Sequence, residues 1–239
     1  MKNILYPRLI TQTNFEYTKV ISYGLIVYSI ADDECIIVQR LHSVEFLLIL
    51  TGQYRPSILS LLIPNITREE IVILENLIDN YDLYKNIFIY QMGYDEKDLE
   101  YAYTRFNESK FIILKLINQI VHFNELKWTF PKGRLNSDYY ENTFECAKRE
   151  FIEEVESELP EAKYISSEYI IVESLKTLEC KYIETRCWLY IIDKKFELLP
   201  TINHSEVNDR KWVSLDTALT LMNLNIHESL NTLIDSFLK

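Results

Sequence analysis

The sequence has little from which a flexible linker could be made: only four glycines and six prolines in 239 residues. That scarcity excludes Gly/Pro-rich tethers and low-complexity tracts, and no internal repeat is visible. Cysteine is also sparse. Cys35, Cys146, Cys180 and Cys187 are scattered without a C-x-x-C pair, a pattern of free thiols in a reducing compartment and not of a disulfide framework or zinc site. Basic residues are in deficit. Against 36 Asp+Glu stand 25 Lys+Arg, for a formal net charge of -11 and a pI near 4.9, which argues against a generally basic nucleic-acid-binding surface. Apolar runs such as Phe46 to Leu50 are far too short to span a bilayer, and Met1 to Thr11 lacks the apolar region of a secretory leader. The expectation is a soluble, cytoplasmic protein, with no membrane partner, no obligate protein partner and a monomeric state.

Apolar content of 48% over this length is enough to bury a sizeable core. Its periodicity changes along the chain. Ile21 to Ile30 and Cys35 to Gln39, divided by Ala31-Asp32-Asp33, predict a β-hairpin. From Ser43 onward the spacing becomes helical. Thr67-Arg68-Glu69-Glu70 predicts a capping box, with Val72, Leu74, Leu77, Ile78 and Tyr81 as a buried helix face. Asp95 is placed as the cap of a helix over Leu99 to Phe106, with a further helix over Phe111 to Phe123. Strands return at Trp128 to Phe130, Glu168 to Leu178, Tyr182 to Asp193 and Lys211 to Val213. Two closing helices follow, the first capped by Asp216 and the last running towards Phe237. The alternation predicts an α/β domain carrying a mostly helical insertion. Its parts are residues 1-42 and 127-239 as one discontinuous domain and 43-126 as the insertion.

Chemistry concentrates between Phe130 and Glu154. Asn142 and Glu145 form a second capping-box pattern, and Phe144, Ala147, Phe151 and Val155 a single apolar stripe. Glu150, Glu153 and Glu154, at i, i+3 and i+4, bring three carboxylates to one neighbouring face. Like charges so close repel, and a hard divalent cation, Mg²⁺ or Mn²⁺, is the natural compensation. Such an ion can bridge phosphate oxygens and lower the pKa of a water. Gly133 lets the backbone approach closely, with the positive charge of Lys132 beside it. Glu141 and Arg149, opposite in sign and eight residues apart, are predicted to pair and tie the loop to the helix.

Gly133, Glu141 and Arg149-Glu150-x-x-Glu153-Glu154 resemble the Nudix hydrolase signature, G-x5-E-x7-R-E-U-x-E-E-x-G-U with U aliphatic. The resemblance implies an α/β/α sandwich. It makes Glu150, Glu153 and Glu154 metal ligands, with the Gly133 carbonyl as a further one. Seven residues, not five, separate Gly133 from Glu141, and Glu156-Ser157 stand where glycine and an aliphatic residue are usual. These departures imply an altered loop geometry with the ligands retained.

A wider similarity covers most of the chain. Val38-Gln39-Arg40-Leu41-His42-Ser43, then Phe46, then Gly52-Gln53-Tyr54, a helical block and Trp128-x-Phe130-Pro131-Lys132-Gly133 resemble the Nudix enzymes of large DNA viruses of the poxvirus and African-swine-fever types. Some of these are similar to cellular decapping and diphosphoinositol-polyphosphate enzymes. The resemblance implies removal of the m7GpppN cap of mRNA, in host cytoplasm for a viral protein. Capped mRNA is then the partner, with Arg40 and Lys132 on the substrate and Phe46 and Trp188 stacking on the methylated base. Glu206, ahead of Trp212, stands where many Nudix enzymes carry a Glu that assists proton transfer near the metals. Residues 43–126 carry 7 Lys+Arg against 12 Asp+Glu, a net 7 − 12 = −5, which disfavours a long RNA track. A narrow one over Arg40, Arg55, Lys110, Lys115, Lys127 and Lys132 is conceivable. His42, His122, His204 and His227 have no ligand spacing. Two further readings stay open: a diphosphoinositol polyphosphate or nucleoside-diphosphate-linked phosphohydrolase, and a catalytically weak module that only binds RNA or nucleotide.

Overall fold

The computed structural model describes residues 18–120, 125–136, 140–176, 181–199, 206–224 and 226–238. Met1–Thr11, Cys180, His122 and His204 lie outside them. Strands β1 (Thr18–Ser29) and β2 (Glu34–Arg40) form the expected hairpin. Five helices follow: α1 (Val44–Leu50), α2 (Leu59–Leu62), α3 (Arg68–Leu77), α4 (Tyr81–Lys85) and α5 (Glu96–Ile117). A π-helical turn, Asn86–Gln91, joins α4 towards α5. Then come β3 (Trp128–Thr129), β4 (Lys132–Gly133), α6 (Thr143–Val155), β5 (Tyr164–Ile165), β6 (Ile170–Lys176), β7 (Lys181–Ile192) and β8 (Val207–Ser214). Helices α7 (Leu215–Met222) and α8 (His227–Leu238) close the chain.

The described strands make one eight-stranded sheet. Its centre is β1, antiparallel to β2 and β4 and parallel to β7 from Thr18↔Lys181 to Ser29↔Ile192. Strand β7 pairs antiparallel with β5 and β6, as β2 does with β3 and β8. Period-two alternation sends the strand side chains to opposite faces. Ile26, Ile37, Leu189 and Ile191 pack under Leu215, Leu219 and Leu230 of α7 and α8. Leu25, Val27, Ile36 and Tyr190 pack under Cys146, Ala147, Phe151 and Val155 of α6. Helices cover both faces, which is the α/β/α sandwich. A third core is drawn wholly from Phe46 to Ile117.

Several local expectations need correction. On α3 the buried face is Ile71, Leu74 and Leu77; Val72 is exposed because it lies one residue off that face, and Tyr81 because Ile78 turns extended and ends the helix before it. Asp95 caps α5, but α5 is one helix that spans Leu99 to Phe106 and continues unbroken into the second expected helix as far as Ile117; Val121 to Phe123 lie outside the described residues. The polar stretch Asn107–Lys110 does not break it, since Ser109 faces the core at 2% exposure. Ser214, not Asp216, caps α7: its hydroxyl accepts from Thr217 N, and Asp216 sits in the first turn. Strand β8 is also longer than the expected Lys211 to Val213, extending from Val207. Cys35, Cys146 and Cys187 are free and buried. Among the described residues no helix is long and apolar enough to cross a membrane.

Candidate active site

Helix α6 begins on the predicted capping box. Asn142 Oδ1 accepts from Phe144 N and Glu145 N, while Glu145 returns to Asn142 N at 3.0 Å. Ala147, Phe151 and Val155 are fully buried, and this fixes the rotation that turns Glu150, Glu153 and Glu154 towards β4 and the solvent edge.

Gly133 meets that face directly. A Cβ on Gly133 would overlap the Glu150 carboxylate, so the glycine is needed for room above a short strand and not for a sharp turn. Gly24 behind it is equally constrained, by Pro131 O and Lys132 Cβ. Arg149 organises the loop ahead of the helix. Its Nε and Nη2 donate to Glu141 at 3.0 and 2.9 Å, and Nη2 also reaches Arg134 O. This forked pairing is the strong kind. Chiefly because of it, the Glu141 carboxyl lies well below the usual range, at about 2. The remaining Nη1 donates to Glu150 and Glu153 at 2.7 and 2.8 Å.

Glu154 is the buried member, at 8% exposure, with Lys132 N donating to its Oε2 at 2.9 Å. Burial pushes its carboxyl up to about 8; that amide and the Arg40 charge oppose the rise, while Glu150 and Glu206 add to it. Glu150 is also raised, mainly by burial, with Glu153 and Glu206 contributing and Arg149 resisting. Glu206 itself is exposed, held by its carbonyl, which accepts from Leu41 N at 2.8 Å. Thus Glu150, Glu153, Glu154, Glu206 and Arg40 share one electrostatic neighbourhood. A bulge between Gln39 and Arg40 in the β2–β8 pairing delivers Arg40 to it.

The donor chemistry fits a hard divalent cation: carboxylate oxygens facing the backbone of β4, with mutual repulsion that a cation relieves. Arg149 Nη1 stands between Glu150 and Glu153, and among the described residues no three His, Cys, Asp or Glu side chains close into a coordination cluster. Closing one requires Glu153 to leave Arg149, and its side chain is 55% exposed and has room.

Three substrate candidates are placed elsewhere. Phe46 is fully buried in the helical core and stacks on His42 at 4.8 Å, so it has no face for a ligand. Trp188 is 8% exposed and wedged among Tyr23, Phe144 and Tyr169, with ring centroids 5.8–6.0 Å away. Both are core residues: the strand and helix positions that suggested them face inward. The Lys132 ammonium is committed to Glu173 at 3.2 Å and Thr185 at 2.9 Å, so Lys132 meets the site through its backbone amide. Of the conceivable RNA track, Lys110 is likewise paired, with Asp79. Arg210 escaped sequence reasoning altogether. It is buried in β8, its Nη1 2.7 Å from Glu156 Oε2, and only the missing glycine at position 156 hinted at such a partner.

The family described as NUDIX domain matches residues 68–234, more than half of the chain. The chain belongs to the Nudix family. The match starts at the head of α3, so β1 and β2 lie ahead of it although they pair at the heart of the Nudix sheet. Enzymes of this Nudix hydrolase class generally use divalent metals such as Mg²⁺. Similar solved structures include a C. elegans Ap4A hydrolase binary complex, 15% identical over 92% of this chain and 97% of that one, with TM-score 0.42. The NUDIX domain of Shewanella oneidensis NrtR complexed with ADP ribose is 11% identical over 95% of each chain, with TM-score 0.42. A bifunctional NMN adenylyltransferase/ADP ribose pyrophosphatase from Francisella tularensis is 12% identical over 94% of this chain but 42% of its own, with TM-score 0.43. No curated protein matches.

Proposed function

We propose that this Nudix protein is a divalent-metal-dependent pyrophosphohydrolase that removes the m7GpppN cap of cytoplasmic mRNA, releasing m7GDP and 5′-monophosphate RNA. The observation that carries hydrolysis is the carboxylate face of α6 set on the backbone of Gly133. Glu150, Glu153 and Glu154, with the Gly133 carbonyl, would hold Mg²⁺ or Mn²⁺, which when bound neutralises phosphate charge and lowers the pKa of a water. Burial raises the Glu154 carboxyl, and a bound cation would favour its carboxylate form. Glu206, whose charge bears on Glu150 and Glu154, would take a proton from an attacking water. Arg40 offsets negative charge there, and the Glu141–Arg149 pair positions the loop.

Capped RNA as the substrate is supported by the flanking sequence pattern, from Val38 to Tyr54 and from Trp128 to Gly133, and not by the carboxylates. The same reading takes residues 1-42 and 127-239 as the catalytic unit and 43-126 as an insertion, in keeping with a core confined to Phe46–Ile117. The test is a panel of cap-labelled RNA, free cap analogue, diphosphoinositol polyphosphates and ordinary nucleotides, each with Mg²⁺ and with Mn²⁺. Release of m7GDP from capped RNA is expected. Survival of capped RNA alongside cleavage of another member reassigns the substrate, and cleavage of none leaves a binding module.

A further inference from the structure

The sheet extends the carboxylate site sideways. Gly133 of β4, which faces the Glu150 carboxylate, pairs with Tyr23 of β1. Tyr23 pairs in turn with Arg186 of β7, and Arg186 with Ile171 of β6. Residues directly opposite one another point to the same face, so all four stand on the side that carries α6. Two strand spacings, about 10 Å, separate Gly133 from Arg186. Beyond Arg186 that face is open to solvent, with Ile171 47% exposed.

A run of aromatic and cationic side chains covers this stretch. Trp188 and Tyr23 are its buried floor, 6.0 Å apart. Tyr169, 40% exposed, meets Trp188 at 5.8 Å and covers Arg186, whose guanidinium lies 4.4 Å from the ring centroid. Arg186 Nε donates to Glu184, which also pairs with Lys19 at 3.3 Å. Among the described residues the two Nη groups of Arg186 make no hydrogen bond. On the other flank Phe144 meets Trp188 at 5.8 Å and carries the Lys148 ammonium over its ring at 5.2 Å. Three positive charges, on Lys19, Lys148 and Arg186, thus stand around one carboxylate, Glu184, in a chain of net charge -11.

Those side chains specify the ligand. Excess positive charge repels a cationic base and attracts phosphate. An exposed ring backed by a guanidinium offers a stacking face to a base of any sequence. A polyanion without rings, such as an inositol phosphate, leaves Tyr169 unused. Cations interleaved with a stacking ring are what a single-stranded nucleic acid requires.

We infer that the surface of Tyr169, Arg186 and Lys148 holds the RNA body of the substrate, with phosphates on the two cations and a base on the Tyr169 ring. The strand runs from the diphosphate at Gly133 and α6 outward over β7 to β6. This rests on the decapping reading and adds to it the path of the RNA beyond the cleaved linkage.

Fluorescence anisotropy with a 5′-monophosphate oligoribonucleotide, without metal, reads the surface apart from catalysis. Tyr169→Ala should weaken binding about tenfold, and Tyr169→Phe, which keeps the ring, should bind as the wild type does. Lys148→Ala should weaken it about threefold and make the slope of log Kd against log salt shallower by about 0.7. With Mg²⁺, Tyr169→Ala should raise KM for capped RNA about tenfold with kcat little changed, and lower the preference for capped RNA over free cap analogue by the same factor.

If Tyr169→Ala and Lys148→Ala bind the oligonucleotide and process capped RNA as the wild type does, the RNA lies elsewhere, although decapping stands. If capped RNA is not hydrolysed but oligonucleotide affinity falls as described, the surface stands and the decapping reading falls. A wild type that does not bind the oligonucleotide overturns the inference. So does inositol hexakisphosphate binding that depends on Lys148 while neither ligand responds to Tyr169→Ala, since the surface would then be a charge site alone.

Discussion

Glu156 and Arg210 are locked together: Oε2 and Nη1 lie 2.7 Å apart, with the Arg210 side chain only 2% exposed. Glu156 caps α6 in the left-handed region, φ +49°, where most sequences of this signature place glycine. The pair is short but poorly aligned, leaving Nε and Nη1 without a directed hydrogen bond, while Nη2 donates to Leu199 O at 2.8 Å. Charge attraction is what Glu156 supplies.

Replacing Glu156 by glycine therefore sets two effects against each other. Relief of the left-handed conformation is worth about 1 kcal/mol. Stranding a buried guanidinium costs about 3–5 kcal/mol when both partners are fully buried, and less here because Glu156 keeps 28% of its side chain exposed. Glu156→Gly should lower the urea-unfolding free energy by about 1–3 kcal/mol. A more stable variant would show that Arg210 does not need its partner.

Gly133→Ala should reduce turnover by about 10–100-fold with little change in melting temperature, because the added methyl displaces the Glu150 carboxylate and not the core. Steady-state rates at saturating Mg²⁺, with a thermal melt as control, check this. Unchanged turnover would remove Glu150 from the working site.

Glu154→Gln should abolish turnover, by at least about 100-fold, while preserving the metal-free fold, since glutamine copies the protonated side chain. The pH dependence has a definite sign. A folded-state pKa of about 8 exceeds the ordinary 4.5, so the folded chain holds the extra proton. The stability tied to it is complete below pH about 4.5 and is lost as pH rises through about 8. Metal-free wild type should weaken across that range more than the variant does. Parallel stability–pH curves would contradict the buried assignment of Glu154.

Glu70→Ala should cost about 2–4 kcal/mol. This carboxylate, 2% exposed, accepts from Ser43 N, Ser43 Oγ and Thr67 N at 2.6–2.8 Å, tying the starts of α1 and α3 together. Burial works against its charge, yet His42, Thr67 and Ser43 hold it below the ordinary carboxylate range. Its stabilisation is present above pH about 4.5 and lost as pH falls through the lowered value. The acid limb of a pH melt should move to higher pH in the variant.

What could be read in advance was local. Both capping boxes, the β1–β2 hairpin and the carboxylate spacing depend on residues within a few positions of one another, and each is present in the structure. Errors arose where distant packing decides. Nothing near Ser109 says that it faces a core, so α5 read as two helices. Phe46 and Trp188 lost their proposed faces to partners far along the chain or across the sheet, such as Tyr23 beside Trp188. Ser214 displaced Asp216 by two residues, a shift that only cap geometry resolves.

The parallel pairing of β1 with β7 sets an order of assembly. Residues 18–29 find their partner only at 181–192, so the central ladder closes a loop of some 150 residues. The cluster from Phe46 to Ile117 is contiguous in the chain and closes far shorter loops. Non-local pairing forms slowly and a chain emerges N-terminus first. During synthesis the helical block can consolidate while β1 waits, unpaired along one edge, until β7 has left the ribosome.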